Sequence, residues 1–353
     1  MTMSGGIDST VSAILLLEQG YDVIGLTYRT YDSISKGCME KERGCCSVDS
    51  IFEAKRMAMD LGFEHHILDI REDFKKEVIT NFIDEYLNGR TPNPCVVCNS
   101  GIKWGKVMEI ANEMGCDYVA SGHYARIGQL NGRYFLRKGV DLAKDQTYFL
   151  WTLGQDALKR IIFPLGEMTK PEVRQFALER GYVKLSQKLE SQEICFVSNN
   201  DYRSFLSENV DNYAEKYGEG DFVNTNNEPL GKHKGFPNYT IGQRKGLGIA
   251  LGKPAFVVSI DAKTNKVMLG ERDDLYSTEC VVKDVNLMKY TELNEELVIN
   301  VKIRYRSAGV DATLKREGDI YKLYFKEPID SVTPGQSAVF YEGDDLVGGG
   351  IIC

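Results

Sequence analysis

Close to its start the chain reads Ser4-Gly5-Gly6-Ile7-Asp8-Ser9-Thr10, and no other stretch restricts its folding as strongly. Two residues without a Cβ let the backbone turn tightly and come close to a ligand. Asp8, Ser9 and Thr10 then open an apolar run, Val11 to Leu17, that stops at Gln19-Gly20. Acceptors at the beginning and glycine just past the end predict a helix. A glycine turn feeding a helix N-terminus offers unpaired N–H groups and a positive dipole end, which suits phosphate. The stretch is neither a G-x-x-x-x-G-K-[ST] loop nor a G-x-G-x-x-G fingerprint. Such a turn should follow a buried strand, yet only Met1-Thr2-Met3 precede it. Either the native start lies upstream of Met1, which is the working expectation, or the sheet lacks its usual first strand.

At 353 residues the chain exceeds one typical domain. The first third alternates strand and helix patterns. Tyr21–Tyr28 reads as a strand, Ser50–Glu53 as a capping box opening a helix to Leu61, and His66–Ile70 as a strand. Helices over 72–87 and 102–114 and a strand over 117–121 follow. This alternation predicts an α/β domain with a parallel sheet over residues 1–202. A Gly-, Asn-, Lys- and Tyr-rich tract predicts a small loop-rich middle domain, 203–270. Short strands with turns at Lys263-Thr264-Asn265, Glu317-Gly318 and Glu342-Gly343 predict a C-terminal β-barrel, 271–353. No apolar stretch approaches the roughly 18 residues of a membrane span. Nine cysteines without a secretory signal point to a reducing cytoplasm. A net charge of −8 argues against general coating of nucleic acid but leaves room for a local basic surface.

Two cysteine constellations carry chemistry. In Gly89-Arg90-Thr91-Pro92-Asn93-Pro94-Cys95-Val96-Val97-Cys98-Asn99, two prolines stiffen a loop that is expected to enter a helix near Asn99. A cysteine beside a helix N-terminus has its thiolate stabilised and becomes a better nucleophile at neutral pH. The second is Ser191-Gln192-Glu193-Ile194-Cys195-Phe196.

The opening stretch resembles the SGGxDS signature of the PP-loop ATP pyrophosphatases, which cleave ATP between the α and β phosphates. Further segments follow in order: Thr91–Asn99, Ser121–Tyr124, Lys144–Leu150, Ser191–Phe196, Thr240–Gly248, Arg304–Arg306 and Thr333–Gln336. Together they resemble the bacterial tRNA-specific 2-thiouridylases, which place sulfur on C2 of the wobble uridine. The resemblance implies ATP and Mg2+ as cofactors. Thr2, Met3, Ser4, Gly5, Gly6, Ile7, Asp8 and Ser9 would cradle the nucleotide, with Tyr28 and Gly122 at its adenosine. It implies Cys195 as carrier of a persulfide and Cys98 as the nucleophile that frees its sulfur or closes a transient disulfide with it. Asn93, Pro94 and Cys95 would face a flipped target base, which must leave its stack for C2 to be attacked. His123, Lys144, Asp145, Gln146, Arg304, Tyr305 and Gln336 would contact tRNA, usually those for Lys, Glu and Gln. A cysteine desulfurase or sulfur-relay protein would be the donor.

At Cys95 the chain departs from relatives that carry Asp there as a proposed general acid/base. The change creates Cys95-x-x-Cys98, so that with Cys195 three thiolates could hold a [4Fe–4S] cluster with one open iron. The persulfide and cluster routes both remain open at this point. Lys302, Arg304 and Arg306 alternate and are expected to share one face of a strand. Cys38, Cys45 and Cys46 have uneven spacing and no neighbouring His, which fits a loop better than a metal site. Cys116, Cys280, Trp104 and Trp151 read as packing residues. Two other functions compete: a PP-loop enzyme with a small-molecule acceptor, which would need neither Cys98 nor Cys195, and a non-catalytic tRNA-binding protein, if the first strand is truly missing.

Overall fold

Helix α1 (Ile7–Glu18) forms where the glycine turn and apolar run predict it. Gly6 enters it in an extended conformation, φ −97° and ψ 167°. At the other end Gly20 N–H donates to Leu17 O and Tyr21 N–H to Leu16 O, closing the last turn on itself. Ile7 and Val11 pack with Tyr124, Leu165, Val173 and Ala177, while Leu16 packs with Val23 and Ala120. Burying each such aliphatic chain contributes about 1.5–3 kcal/mol. The structure is a computed structural model that describes residues 1–31, 48–188, 194–197, 200–293, 295–318 and 320–353. It divides into two units. One comprises Met1–Val78, Cys95–Asn200 and Asp344–Val347; the other comprises Ile79–Pro94, Asp201–Gly343 and Gly348–Cys353.

In the first unit β1 (Gly25–Arg29) runs parallel to β2 (His65–Asp69). Strand β3 (Val119–Ala120) precedes a hairpin of β4 (Ala125–Leu130) and β5 (Arg133–Lys138), and β3 runs parallel to β6 (Ile161–Ile162). Ahead of the glycine turn the chain forms an isolated parallel bridge between Thr2 and Leu26. Met3 N–H donates to Leu26 O and Leu26 N–H to Met1 O, while Thr2 N–H donates to Ala120 O. Met1–Met3 therefore sit between β1 and β3, bonded on both sides. Three residues are too few to show a pattern in sequence.

Several helix limits also differ from expectation. Helix α2 (Val48–Leu61) already includes Ser50 as an interior residue, so Ser50–Glu53 is not its capping box. The helix expected over 72–87 is α3 (Arg71–Phe74), a π-helical turn Lys75–Ile79 and α4 (Thr80–Leu87). The helix expected near Asn99 begins earlier, as α5 (Pro94–Val97), then a π-helical stretch Cys98–Gly105, then α6 (Lys106–Glu113). Pro94 explains the early start, since the first helical position needs no N–H and favours proline's fixed φ. Beyond α7 (Gln155–Leu158), α8 (Lys170–Glu179) opens with a capping box between Thr169 and Glu172.

In the second unit the tract expected to be loop-rich contains a four-stranded sheet. Its strands are β7 (Gly220–Val223), β8 (Pro229–His233), β9 (Phe256–Asp261) and β10 (Lys266–Gly270), in the order β8-β7-β10-β9. Phe236, Tyr239 and Leu247, from the irregular stretch between β8 and β9, fill its core with Phe222, Val257, Val267 and Leu269. The barrel follows: β11 (Tyr276–Leu287), β12 (Leu297–Lys302), β13 (Val310–Glu317), β14 (Ile320–Asp330), β15 (Ser337–Glu342) and β16 (Asp345–Ile352). The order β11-β14-β13-β12-β15-β16 is closed by pairing of β11 with β16, so no edge remains. Because β12 ends at Lys302, Arg304 and Arg306 do not share a strand face with it. They lie in a turn where Ser307 N–H donates to Arg304 O.

Gly5 has φ +66°, and a Cβ there would sit 2.4 Å from Ser50 O. Gly5→Ala should therefore lower the thermal midpoint, with strain on the order of 1–3 kcal/mol. Gly105→Ala, in a helical position with open space, should leave the midpoint unchanged or raise it. Thermal melts of both variants check the pair.

Candidate active site

At the glycine turn Ser4 N–H donates to Ser9 Oγ (3.2 Å), and Ser9 Oγ and Thr10 Oγ1 both donate to Gly6 O (3.1 Å). These side chains fold back on the turn and hold it. The N–H groups of the first helical turn, from Ile7 onward, have no acceptor within the helix. Gly122, just after β3, lies against this turn: a Cβ there would meet the Asp8 carbonyl carbon at 2.9 Å and Ser9 N at 3.0 Å. Only glycine allows that approach. Asp8 is the charged side chain of the turn. Lys170 Nζ donates to both of its carboxylate oxygens at 2.8 Å, and Tyr124 OH donates to Oδ1 at 2.8 Å.

A second group of residues gathers around Lys103. Tyr28, buried on β1, donates its OH to Lys103 O (2.8 Å). Burial raises the Tyr28 phenol well above its usual range, against the opposing Lys103 charge, and Cys98 lies within electrostatic reach of it. His123 Nδ1 pairs with Ser121 Oγ at 2.7 Å, and its ring lies beside Trp104 and Phe163. Burial first, and then the Lys103 charge, push the imidazole down to about 3, so it is neutral at physiological pH. Tyr28, Cys98 and His123, far apart in sequence, thus belong to one neighbourhood of the first unit.

Cys98, at the start of the π-helical stretch, is buried, whereas Cys95 and Cys195 are exposed. None of the three is in a disulfide. Cys195 sits in a turn closed by Val197 N–H to Ile194 O, and the neighbouring Phe196 ring packs edge-on against Phe74 and Tyr31. Among the described residues, no three His, Cys, Asp or Glu side chains gather into a metal-holding group. The convergence of Cys95, Cys98 and Cys195 that a [4Fe–4S] cluster requires is therefore not found, as the differing burial of the three thiols reflects. Cys38, Cys45, Cys46 and Ser191–Glu193 lie outside the described residues.

Known protein families cover this chain almost end to end. The profile described as "tRNA methyl transferase HUP domain" matches residues 1–199. "tRNA methyl transferase PRC-barrel domain" matches 205–271, and "Aminomethyltransferase beta-barrel domain" matches 277–352. A "tRNA-specific 2-thiouridylase MnmA" of Amoebophilus asiaticus is 50% identical over 353 residues, covering 100% of this chain and 94% of its own length. Proteins of the same name from Cytophaga hutchinsonii and Carboxydothermus hydrogenoformans are each 47% identical, each covering 100% of this chain and 96% of their own. The chain belongs to the tRNA-specific 2-thiouridylase family. Its architecture is a HUP-type α/β domain, a PRC-barrel middle domain and a C-terminal β-barrel. No helix among the described residues is long and apolar enough to cross a membrane.

Within this family member, several residues expected at RNA also hold the fold. Asp145, 5% exposed, accepts from Thr147 N–H and Oγ1. Gln146 pairs twice with the Tyr124 backbone, accepting from its N–H at 3.0 Å and donating its own N–H to Tyr124 O. Lys144 N–H donates to Asp141 O in the same turn. In the second unit Gln336 Nε2 donates to Thr91 O (3.0 Å) and Pro92 O (2.8 Å), and Thr91 N–H donates to Pro334 O. The backbone just ahead of Asn93 and Pro94 is thereby pinned. Arg304 donates to Ser331 O, and Tyr305 lies half-buried in the same turn. The sequence reading assigned nothing to Lys103 or Lys170, and only included Tyr124 within a motif. Their partners lie 75 to 162 residues away, so no local spacing could reveal them.

The neutral His123 has a consequence for acid stability. Its pKa falls from 6.5 to about 3 on folding, so below pH 6.5 the unfolded chain takes up a proton that the folded chain refuses. Stability should therefore decline as pH drops through that window. Urea midpoints at pH 7 and pH 4.5 should differ less in His123→Gln than in the unaltered protein; an equal difference would assign the acid sensitivity elsewhere.

Proposed function

We propose that this chain transfers sulfur to C2 of the wobble uridine in tRNA, with ATP activating the C2 oxygen. The observation that carries the reading is one unit holding both a glycine-built helix N-terminus with Asp8 and two thiols, Cys98 and Cys195, on separately anchored elements. The 2-thiouridylase names of the relatives supply the substrate class. A carbonyl oxygen leaves poorly. If it attacks the α-phosphorus of ATP, pyrophosphate departs and the oxygen becomes part of an AMP leaving group.

In this reading Thr2–Ser9 cradle the phosphates through backbone N–H groups, and Tyr28 and Gly122 border the adenosine. Mg2+, which accompanies ATP in this reading, would neutralise the charge of the phosphates. Cys195 carries the incoming sulfur as a persulfide, and its exposed turn is open to a cysteine desulfurase or sulfur-relay protein. Either the terminal sulfur attacks C2, AMP leaves, and Cys98 thiolate then attacks Cys195 Sγ to release the thiouridine, or Cys98 thiolate first attacks Cys195 Sγ and frees sulfide, which attacks C2 and displaces AMP. On both paths Cys98 and Cys195 end as a disulfide that an external dithiol must reduce. Asn93, Pro94 and Cys95 face the target base. His123, Lys144, Asp145, Gln146, Arg304, Tyr305 and Gln336 form the RNA side, some by shaping the backbone rather than by charge. The chemistry belongs to residues 1–202, with 203–270 and 271–353 serving recognition of tRNAs for Lys, Glu and Gln.

Cys98→Ser and Cys195→Ser should each abolish thiouridine formation in a single turnover, while tRNA affinity stays within about twofold of the unaltered protein. Quantifying thiouridine in digested tRNA checks this. Thiolation retained by either variant would remove that cysteine from the sulfur path.

A further inference from the structure

Lys170 is an unusual place for a cation. It is the first residue of α8, where the helix dipole disfavours positive charge, and its side chain is 7% exposed. Burying an ammonium there costs stability unless a partner compensates. The partner is Asp8, 162 residues away in the phosphate-binding turn, met at 2.8 Å on both oxygens. The surroundings fix this geometry from every side. Lys170 N–H donates to Asp141 Oδ2 (2.8 Å), and the Thr169–Glu172 capping box sets the start of α8. Tyr124 OH holds Asp8 Oδ1, its ring lies 5.8 Å from Lys170 Nζ, and Gln146 pins its backbone.

A carboxylate beside unpaired helix N–H groups competes with a polyphosphate for the same positive field and repels it. We propose that Lys170 is a positioning residue that cancels the Asp8 charge and fixes its orientation, so that the glycine turn accepts the triphosphate of ATP. Tyr124 and, behind it, the Lys144–Gln146 turn support that pair. The proposal rests on the ATP reading above and adds the residue that makes the turn electrostatically permissive.

The test is a double-mutant cycle read by ATP affinity in EDTA, with a fluorescent ATP analogue and no catalytic turnover. Lys170→Met should weaken binding about tenfold or more, since it leaves the Asp8 charge unbalanced. In the Asp8→Asn background the same substitution should cost less than about threefold, because no charge remains to cancel. Lys170→Arg should restore most of the affinity lost in Lys170→Met. Lys170→Gln, which keeps a hydrogen-bond donor without charge, replaces Lys170→Met if that variant does not fold. An equal loss with and without Asp8 would make Lys170 an independent phosphate ligand and overturn the proposal, as would no loss at all. Failure of the unaltered protein to bind ATP would overturn both this inference and the reading beneath it. Binding that is intact there but insensitive to Lys170 would overturn the inference alone.

Discussion

The start of α1 must be kept clear of side chains, and much of the first unit is arranged around that constraint. Gly5 turns where a Cβ would strike Ser50 O, and Gly122 rests against the Asp8–Ser9 backbone where a Cβ would not fit. Met1–Met3 lock the turn's entry between β1 and β3. The helix behind is anchored by Ile7, Val11 and Leu16 in two clusters. The backbone of the turn is thus pinned on three sides, and under the proposed function its N–H groups would meet phosphate without rearranging. Preorganised donors of that kind act without a reorganisation cost at the moment of reaction.

Around Asp8 the structure places charge, in Lys170, together with hydroxyls. Tyr28, which lies within electrostatic reach of Cys98, bonds Lys103 O, and a neutral His123 lies beside Trp104 and Phe163. Cys98 is buried while Cys195 is exposed on a short turn, so the two thiols differ in access to solvent. In the second unit, Gln336 and Pro334 hold Thr91 and Pro92, so residues first expected at RNA also shape the backbone before Pro94.

Much of this was legible in the sequence, and what was not has identifiable causes. The glycine turn and α1 were readable because their signals are local: Gly5-Gly6 and Val11–Leu17. The barrel was readable from short strands between turns. The pairing of Met1–Met3 was missed because three residues cannot show alternation. The middle sheet was missed because its core draws on Phe236, Tyr239 and Leu247 from irregular backbone. Arg304 and Arg306 follow the alternation of β12 in sequence, but the strand ends at Lys302. Lys170 and Lys103 act through partners far along the chain, and such contacts leave no periodic trace. The Cys95-x-x-Cys98 spacing suggested a cluster, whereas among the described residues no three candidate ligands gather.

The account turns on ATP activating the C2 oxygen of the target uridine, and one isotope experiment addresses that directly. Unmodified tRNA carrying 18O at C2 of the wobble uridine would be thiolated with ATP, Mg2+ and a persulfide donor, and the released AMP analysed by mass spectrometry. The account predicts one 18O atom in the AMP phosphate for each thiouridine formed. Unlabelled AMP, or ADP as the nucleotide product, would contradict it.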